Sequence, residues 1–171
     1  MSVGFSISYL SSNCHMWLLL SLALFHLCVS DQKSHDALCM EGERQALIRF
    51  KHDLIDEADR LASWAGEKSD CCKWVGIVCN NITGHVREIH LTGPYIGDAV
   101  TYKEMKELLK QRLGGHLSSS LLELKQLEYL DLSCNDFNWI QIPGFIGSLG
   151  KLRCLNLSES NFGEMIPPQI V

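Results

Sequence analysis

The most constraining feature of this 171-residue chain is a spacing of leucines that recurs along its second half. Leu130 and Leu132 are matched by Leu155 and Leu157, 25 positions further on. Each copy then leads to an Ile-Pro pair, at positions 142–143 and 166–167. Repeats of this length bury a core only when successive coils stack on one another. The recurrence therefore predicts a solenoid, a fold that generally acts by presenting a surface.

Each copy contains the strand spacing Leu-x-Leu. Alternate side chains of a strand point to opposite faces, so we expect Leu130 and Leu132 in the core. By the same rule Tyr129, Asp131 and Ser133 should face outward. Strands stacked coil upon coil form a parallel ribbon with one exposed face.

An asparagine marks the turn that follows the first of these strands. The side-chain amide of Asn135 can satisfy backbone groups that are left unpaired where the chain leaves the ribbon. The second copy has Ser160 at the aligned position, which we expect to stabilise its turn less.

Two segments define the subtype of repeat. Residues 130–137 read Leu-Asp-Leu-Ser-Cys-Asn-Asp-Phe, residues 155–158 read Leu-Asn-Leu-Ser, and both lead to Ile-Pro. These segments resemble the plant-type leucine-rich repeat. The resemblance implies an α/β solenoid with a short parallel strand ribbon. A leucine-rich amphipathic helix is the alternative, and the repeated internal proline argues against it.

The N-terminal residues indicate the compartment. Residues 1–30 contain no Lys, Arg, Asp or Glu, and Trp17 to Val29 form an apolar run. The run is shorter than the roughly 20 residues of a membrane helix and fits a signal peptide cleaved after Ser30. A cleaved signal peptide predicts a secreted, extracellular chain. Because positive side chains are missing before the run, an uncleaved anchor is the alternative.

Four cysteines lie together ahead of the repeats, at positions 39, 71, 72 and 79. In an oxidising compartment they predict two disulfides. Because Cys71 and Cys72 are adjacent and should not pair with each other, two connectivities remain. We favour Cys39 with Cys71 and Cys72 with Cys79. A zinc site is the alternative, but the spacing lacks the usual paired chelate, so no metal is expected.

The remaining cysteines fall into two pairs. Cys14 and Cys28 would leave with the signal peptide. Cys134 and Cys154 sit five positions apart in the aligned strands, about 16 Å at ~3.3 Å per residue, which is too far for a disulfide. Both are therefore expected to be free thiols.

A helix is predicted between the signal peptide and the repeats, from Glu43 to Leu54. Its apolar side chains recur at helical spacing, as Ala46, Leu47, Phe50 and Leu54. Asp59 is predicted to cap a short turn that carries Leu61 and Trp64. These elements would cover the open edge of the first coil.

Four segments carry a closer resemblance: residues 39–51, 60–64, 70–81 and 83–86, with their cysteine and tryptophan spacing. They resemble the N-terminal cap of plant leucine-rich-repeat receptor-like proteins, which is similar in receptor kinases and polygalacturonase-inhibiting proteins. The resemblance implies a disulfide-bonded helical cap at residues 31–85, followed by the first repeats at residues 86–171.

An insertion interrupts the repeats. Leu91 and Leu132 lie 41 positions apart, well over one coil, which places the insertion at about residues 94–112. Met105, Leu108 and Leu109 indicate an amphipathic helix from Tyr102 to Leu113. Since loops tolerate insertions readily, we favour a solvated insert over a recognition loop.

The outward strand positions are the candidate binding residues. If the chain is part of a receptor, ligand contacts are expected from Glu88, His90, Tyr129, Asp131 and Asn156. Two Asn-x-Ser/Thr sequons, at Asn81 and Asn156, are candidate glycosylation sites.

The sequence favours binding over catalysis. The histidines after residue 30 are scattered without ligand spacing, and no nucleophile or phosphate-loop motif occurs, so we predict no enzyme, catalytic residue or cofactor. The net charge of −5 argues against nucleic acid. The resemblance implies an extracellular recognition module in plant defence or development. Expected partners are a protein, peptide or glycan ligand and a co-receptor kinase.

Two further functions remain open. One is a secreted inhibitor of a microbial wall-degrading enzyme, similar to polygalacturonase-inhibiting proteins. The other is a truncated product without independent function, which we expect to aggregate because its last coil would expose an apolar edge. A full receptor would hold this chain on the extracellular side of the plasma membrane.

Overall fold

A computed structural model describes residues 38–66, 69–163 and 167–168. The predicted signal peptide, with Cys14 and Cys28, lies outside these residues, as does Ile166 of the second Ile-Pro pair.

Two α-helices and six short strands make up the described part of the chain. In chain order they are α1 (Glu41–Asp53), β1 (Leu54–Ile55), β2 (Ile77–Cys79), β3 (Val86–His90), α2 (Tyr102–Lys110), β4 (Gly114–Gly115), β5 (Tyr129–Asp131) and β6 (Cys154–Asn156). Single 3₁₀ turns lie at Cys71–Lys73, Ile96–Asp98, Ser119–Glu123 and Gly144–Ser148.

The predicted cap helix is present as α1, which begins two residues before the predicted start. Its acidic first turn and basic last turn suit the helix dipole. Ala46, Leu47 and Phe50 are fully buried, as the apolar spacing predicted. Phe50 lies beside Trp64, and Trp64 stacks on Trp74 with ring centroids 5.6 Å apart. The cap is therefore a small aromatic and aliphatic core.

The turn after the cap helix is organised by Asp56, so the prediction of Asp59 as its cap was wrong. The Asp56 carboxylate accepts hydrogen bonds from the backbone N–H groups of Arg60 and Leu61, at 2.9 and 2.8 Å. Asp59 adopts a left-handed backbone with φ of 53°. Asp56 and Asp59 both come before Arg60 and Leu61 in the sequence. Only the path of the backbone decides which carboxylate reaches the free N–H groups.

Both predicted disulfides are present, in the favoured pairing. Cys39 joins Cys71, and Cys72 joins Cys79, each with a Cα–Cα distance of 5.4 Å. The Asp70 carboxylate accepts from the backbone of both Cys39 and Cys72, which ties the two disulfides together. Cys134 and Cys154 are free, as predicted.

Four strands form one sheet in the order β2-β3-β5-β6. Strand β2 runs antiparallel to β3, and the remaining neighbours are parallel. Ile89 pairs with Leu130, and Leu130 pairs with Leu155. The 25-residue recurrence in the sequence therefore corresponds to the spacing between two adjacent parallel strands of the sheet. Leu130 and Leu132 are completely buried in the core.

The insertion leaves the strand register intact. Although Leu91 and Leu132 are 41 positions apart, the strands that precede them pair directly. Within the insertion, α2 forms as predicted but ends at Lys110, three residues early. A capping box between Thr101 and Glu104 begins the helix.

The cap holds both stems of the insertion. The Arg60 guanidinium donates to the carbonyls of Thr92 and Gln111, at 2.7 and 3.0 Å. Strand β1 of the cap pairs with β4, where the chain returns to the coil. Burial, opposed by the nearby Asp56, lowers the pKa of Arg60 from its usual value. The insertion thus leaves and re-enters the solenoid at fixed points.

Asn135 satisfies backbone groups at its turn, as predicted, and it also joins two coils. Its amide nitrogen donates to the carbonyls of Leu91, Leu132 and Ser133, at 2.8, 2.9 and 3.2 Å. Its oxygen accepts from the buried N–H of Leu113 at 2.9 Å. Ser160, at the aligned position, donates through one hydroxyl to Leu132 at 2.6 Å.

Replacing Asn135 should destabilise the fold more than replacing Ser160. Asn135→Ala leaves several buried backbone groups without partners, so we expect a loss of about 3 kcal/mol in the free energy of unfolding. Ser160→Ala removes one hydroxyl and should cost about 1 kcal/mol. Urea unfolding without reductant measures both, and equal losses would contradict the role given to Asn135.

Candidate recognition face

The parallel ribbon brings all five predicted binding residues onto one surface. By strand register, Glu88, Tyr129 and Cys154 form one row across the coils. His90, Asp131 and Asn156 form the next row. We call the surface made by these six residues the recognition face. The face is continuous because paired positions of β3, β5 and β6 place their side chains side by side.

An aromatic pair forms the centre of the recognition face. The His90 ring stacks on the Tyr129 ring, with centroids 4.6 Å apart and planes 24° from parallel. His90 Nε2 lies 2.8 Å from a carboxylate oxygen of Glu88. His90 is exposed, while Glu88 and Tyr129 are half-buried. The pair therefore presents a flat aromatic surface whose polar edge is already oriented.

Asp131 organises the face from beneath. Only 7% of the residue is exposed, so the prediction of an exposed contact at Asp131 was wrong. Strand alternation gives the direction of a side chain, but it does not show which neighbours cover it. Here Tyr129 and Asn156 donate to one carboxylate oxygen of Asp131, at 3.2 and 3.1 Å. Ser133 donates to the other oxygen through its hydroxyl and its N–H, at 2.6 and 2.9 Å.

These contacts alter two pKa values. Burial works to raise the pKa of Asp131, but the hydrogen bonds from Ser133, Asn156 and Tyr129 outweigh it and hold the pKa below its usual value. Burial, and then the hydrogen bond to Asp131, raise the pKa of the Tyr129 phenol. Asp131 is therefore an ionised hub at neutral pH, and Tyr129 is its neutral donor.

Asn156 repeats this arrangement in the next coil. Its oxygen accepts from the N–H and hydroxyl of Ser158, at 3.2 and 2.7 Å. Its amide nitrogen donates to Asp131. Cys154, in the row of Tyr129, is exposed.

A charged border along the strand starts was not predicted. Arg87 pairs with Glu128 at 2.6 Å. The hydrogen bond from Arg87 lowers the pKa of Glu128 and correspondingly raises the pKa of Arg87. Arg87, Glu128 and Arg153 each precede a residue of the first row, so alignment of the three strands would have revealed the border.

Neither a metal centre nor a membrane helix is found in the described part of the chain. The sulfurs of Cys39, Cys71 and Cys72 lie within 4.8 Å of one another. All three are held in disulfides, so the thiolates that a metal would need are not available. Neither described α-helix has the length and apolar character to cross a bilayer.

Comparisons with known proteins agree with the geometry. A family model of the leucine rich repeat N-terminal domain matches residues 40–80, and one of the leucine rich repeat matches residues 126–149. The BIR3–SERK2 complex from Arabidopsis thaliana superimposes with a TM-score of 0.58 at 31% identity, over 73% of this chain and 60% of that one. The fold and these matches define a capped leucine-rich-repeat module.

A sequence relative identifies the family, and a second solved structure agrees with the fold. Receptor-like protein EIX1 of Solanum lycopersicum is 48% identical over 134 residues, which cover 77% of this chain and 13% of EIX1. The ectodomain of the Arabidopsis receptor kinase HAESA, in complex with an IDA peptide hormone ligand, superimposes with a TM-score of 0.52 at 26% identity, over 69% of this chain and 16% of that one. The chain belongs to the plant leucine-rich-repeat receptor-like proteins and carries their N-terminal cap.

The lowered pKa of Asp131 predicts an acid-sensitive contribution to stability. Its carboxylate stabilises the folded chain above the unfolded-state pKa of about 4, and this contribution is lost as the pH falls through the folded-state pKa. Asp131→Asn should cost about 1–2 kcal/mol at neutral pH and flatten the loss of stability in acid. Urea unfolding across that pH range tests it, and parallel profiles for the two proteins would disprove it.

Proposed function

We propose that this chain contributes an extracellular recognition surface to a plant receptor-like protein and binds a protein, peptide or glycan ligand through the recognition face. The carrying observation is the stacked His90–Tyr129 pair, oriented by Glu88 and Asp131. The exposed edge of this pair can contact a ligand without first being ordered, which limits the entropy cost of binding. Aromatic side chains held in this way are typical anchors of interfaces.

The comparisons support the class of partner. The HAESA ectodomain is solved with a peptide hormone, and BIR3 is solved with SERK2. By analogy, we propose a peptide or protein ligand and a co-receptor kinase as partners. EIX1 is a receptor-like protein, which favours binding over catalysis, and we propose a role in plant defence or developmental signalling. The disulfides fit an extracellular location.

The domain division belongs to the same proposal. We assign residues 1–30 to a signal peptide, residues 31–85 to the cap and residues 86–171 to repeats with an insertion at about 94–112.

The cap is joined to the first strand of the recognition face at Glu43. The buried Glu43 carboxylate accepts from the N–H of Val86 at 2.7 Å and contacts His85 at 2.8 Å, immediately before the first strand of the face.

Replacing the aromatic anchor should weaken ligand capture. The full chain, secreted from a plant host and immobilised, is incubated with peptides from extracellular plant fluid and bound peptides are identified by mass spectrometry. Peptides retained by the wild type should be retained about tenfold less by Tyr129→Ala, because the variant removes the stacked centre.

Glu123→Ala is the matched control. Glu123 is exposed and pairs with Arg49 on the cap helix, away from the recognition face, so the variant should retain the same peptides as the wild type. If Tyr129→Ala and the wild type retain the same peptides equally, the recognition face is not the binding surface.

Glycosylation should occur at Asn81 and not at Asn156. Asn81 is exposed in a turn where Asn80 accepts from the N–H groups of Ile82 and Thr83. The amide nitrogen of Asn156, which would carry the glycan, already donates to Asp131. Intact mass analysis of the secreted chain should show one glycan that Asn81→Gln removes and Asn156→Gln does not.

A further inference from the structure

A groove separates the insertion helix from the cap. It has a volume of about 410 Å³ and lies between α2 on one side and the β1–β4 pair on the other. Ile55 and Leu109 supply its apolar surface, and Lys106, Lys110 and Arg112 supply its basic groups. The groove is separate from the recognition face, because none of the six residues of that face lines it.

The walls of the groove are held in place. Ile55 pairs with Gly114 in the β1–β4 ladder, which fixes the cap side. The opposite wall is a helix with a capping box at its start, and Arg60 holds the carbonyl of Gln111 immediately after its end. A preformed groove of this size is in the range of sites that accept small ligands or single side chains.

The apolar surface of the groove is uncovered. Ile55 is 57% exposed and Leu109 is 41% exposed. No residue of α2 is fully buried, so the solenoid leaves the apolar side chains of this helix partly exposed. An apolar side chain placed between Ile55 and Leu109 would remove both from water, which is favourable.

The polar chemistry of the groove points to an anion. The Arg112 Nε–H is shielded from solvent and has no hydrogen-bond partner among the described residues. A ligand cannot reach this atom directly, but the half-exposed Arg112 side chain lines the groove, and a carboxylate is the strongest partner of its guanidinium. Lys106 lies on the same wall, and Lys110 makes only an exposed pair with Glu107, which is weak.

The two acidic residues of the groove do not meet this need. Glu57 and Asp136 line it, but neither supplies an acceptor to Arg112 Nε. One Asp136 oxygen already accepts from the N–H of Asn138 and the amide of Asn161, at 3.0 and 3.1 Å. The groove is thus a basic site in a chain whose net charge is −5.

We propose that this groove binds an acidic peptide segment, with a carboxylate on Arg112 and Lys106 and a neighbouring apolar side chain between Ile55 and Leu109. A neutral segment would offer only uncharged acceptors, which bind a guanidinium more weakly, and a basic segment would meet like charge. This site goes beyond the ligand surface proposed above, and it gives the insertion a binding role in place of the solvated one expected from sequence.

The test uses the full secreted chain and a fluorescein-labelled hexapeptide of alternating glutamate and leucine, followed by fluorescence anisotropy. The wild type should bind it, and Arg112→Gln should bind it about tenfold more weakly because a charge-assisted hydrogen bond is lost. Lys106→Gln should weaken it about threefold, and added salt should weaken the wild type, as expected for exposed charges. The matching peptide of glutamine and leucine should bind at least tenfold more weakly.

Lys103→Gln is the control variant. Like Lys106→Gln, it removes one positive charge from α2. Lys103 does not line the groove, so binding of the hexapeptide should be unchanged. Tyr129→Ala should also bind the hexapeptide normally, which separates this site from the recognition face. Thermal unfolding of each variant confirms that it is folded.

Three results would overturn the proposal. The first is a wild type that does not bind the acidic peptide. The second is equal binding by Arg112→Gln and Lys103→Gln, or equal binding of the acidic and neutral peptides. The third is wild-type self-association in sedimentation that Arg112→Gln abolishes, which would make a second copy of the chain the occupant.

Discussion

The fold depends on one buried side chain that satisfies backbone groups where the coils meet. A solenoid coil leaves its ribbon at a turn, and the peptide groups of that turn have no strand partner. Asn135 supplies the missing donors and acceptor to the first coil at Leu91, to its own coil at Leu132 and to the returning insertion at Leu113. Arg60 of the cap reaches the same oxygen at 3.3 Å. Four segments distant in sequence therefore share one polar centre inside an apolar core.

That centre explains how the repeats tolerate a long insertion. The entropy of closing a loop rises slowly with its length, so the added residues cost little once both ends are held. The ends are held at Arg60, and the excursion starts only after Gly93. A Cβ on Gly93 would lie 2.0 Å from the Cys134 carbonyl, so no larger residue fits where the first two coils touch. The parallel pairing of β3 and β5 survives because this contact is made before the chain diverges.

Sequence alone could predict the elements that repeat and could not predict those that depend on tertiary neighbours. The positions of Leu130 and Leu155 follow from a period, and the pairing of Cys39 with Cys71 is the favoured one of the two connectivities that the sequence left open. The burial of Asp131 does not follow, because Tyr129 and Asn156 reach it from the same and the next strand. The absence of a hydrogen-bond partner for Arg112 Nε among the described residues does not follow from the sequence either. A sequence shows that the residue is charged, but it does not show which acceptors lie near it in the fold.

The two surfaces therefore differ in what a ligand can gain from them. On the recognition face the polar groups already satisfy one another, so a partner must exchange existing hydrogen bonds and gains mainly from the area it buries on the aromatic pair. In the groove, Lys106 and the Arg112 guanidinium lie beside the uncovered Ile55 and Leu109, so a carboxylate supplies a charge-assisted interaction that the free chain does not have. The face should select partners by shape, whereas the groove should select them by charge. A receptor ectodomain that combines the two can recognise one partner without weakening its binding of another, because the sites share no residue.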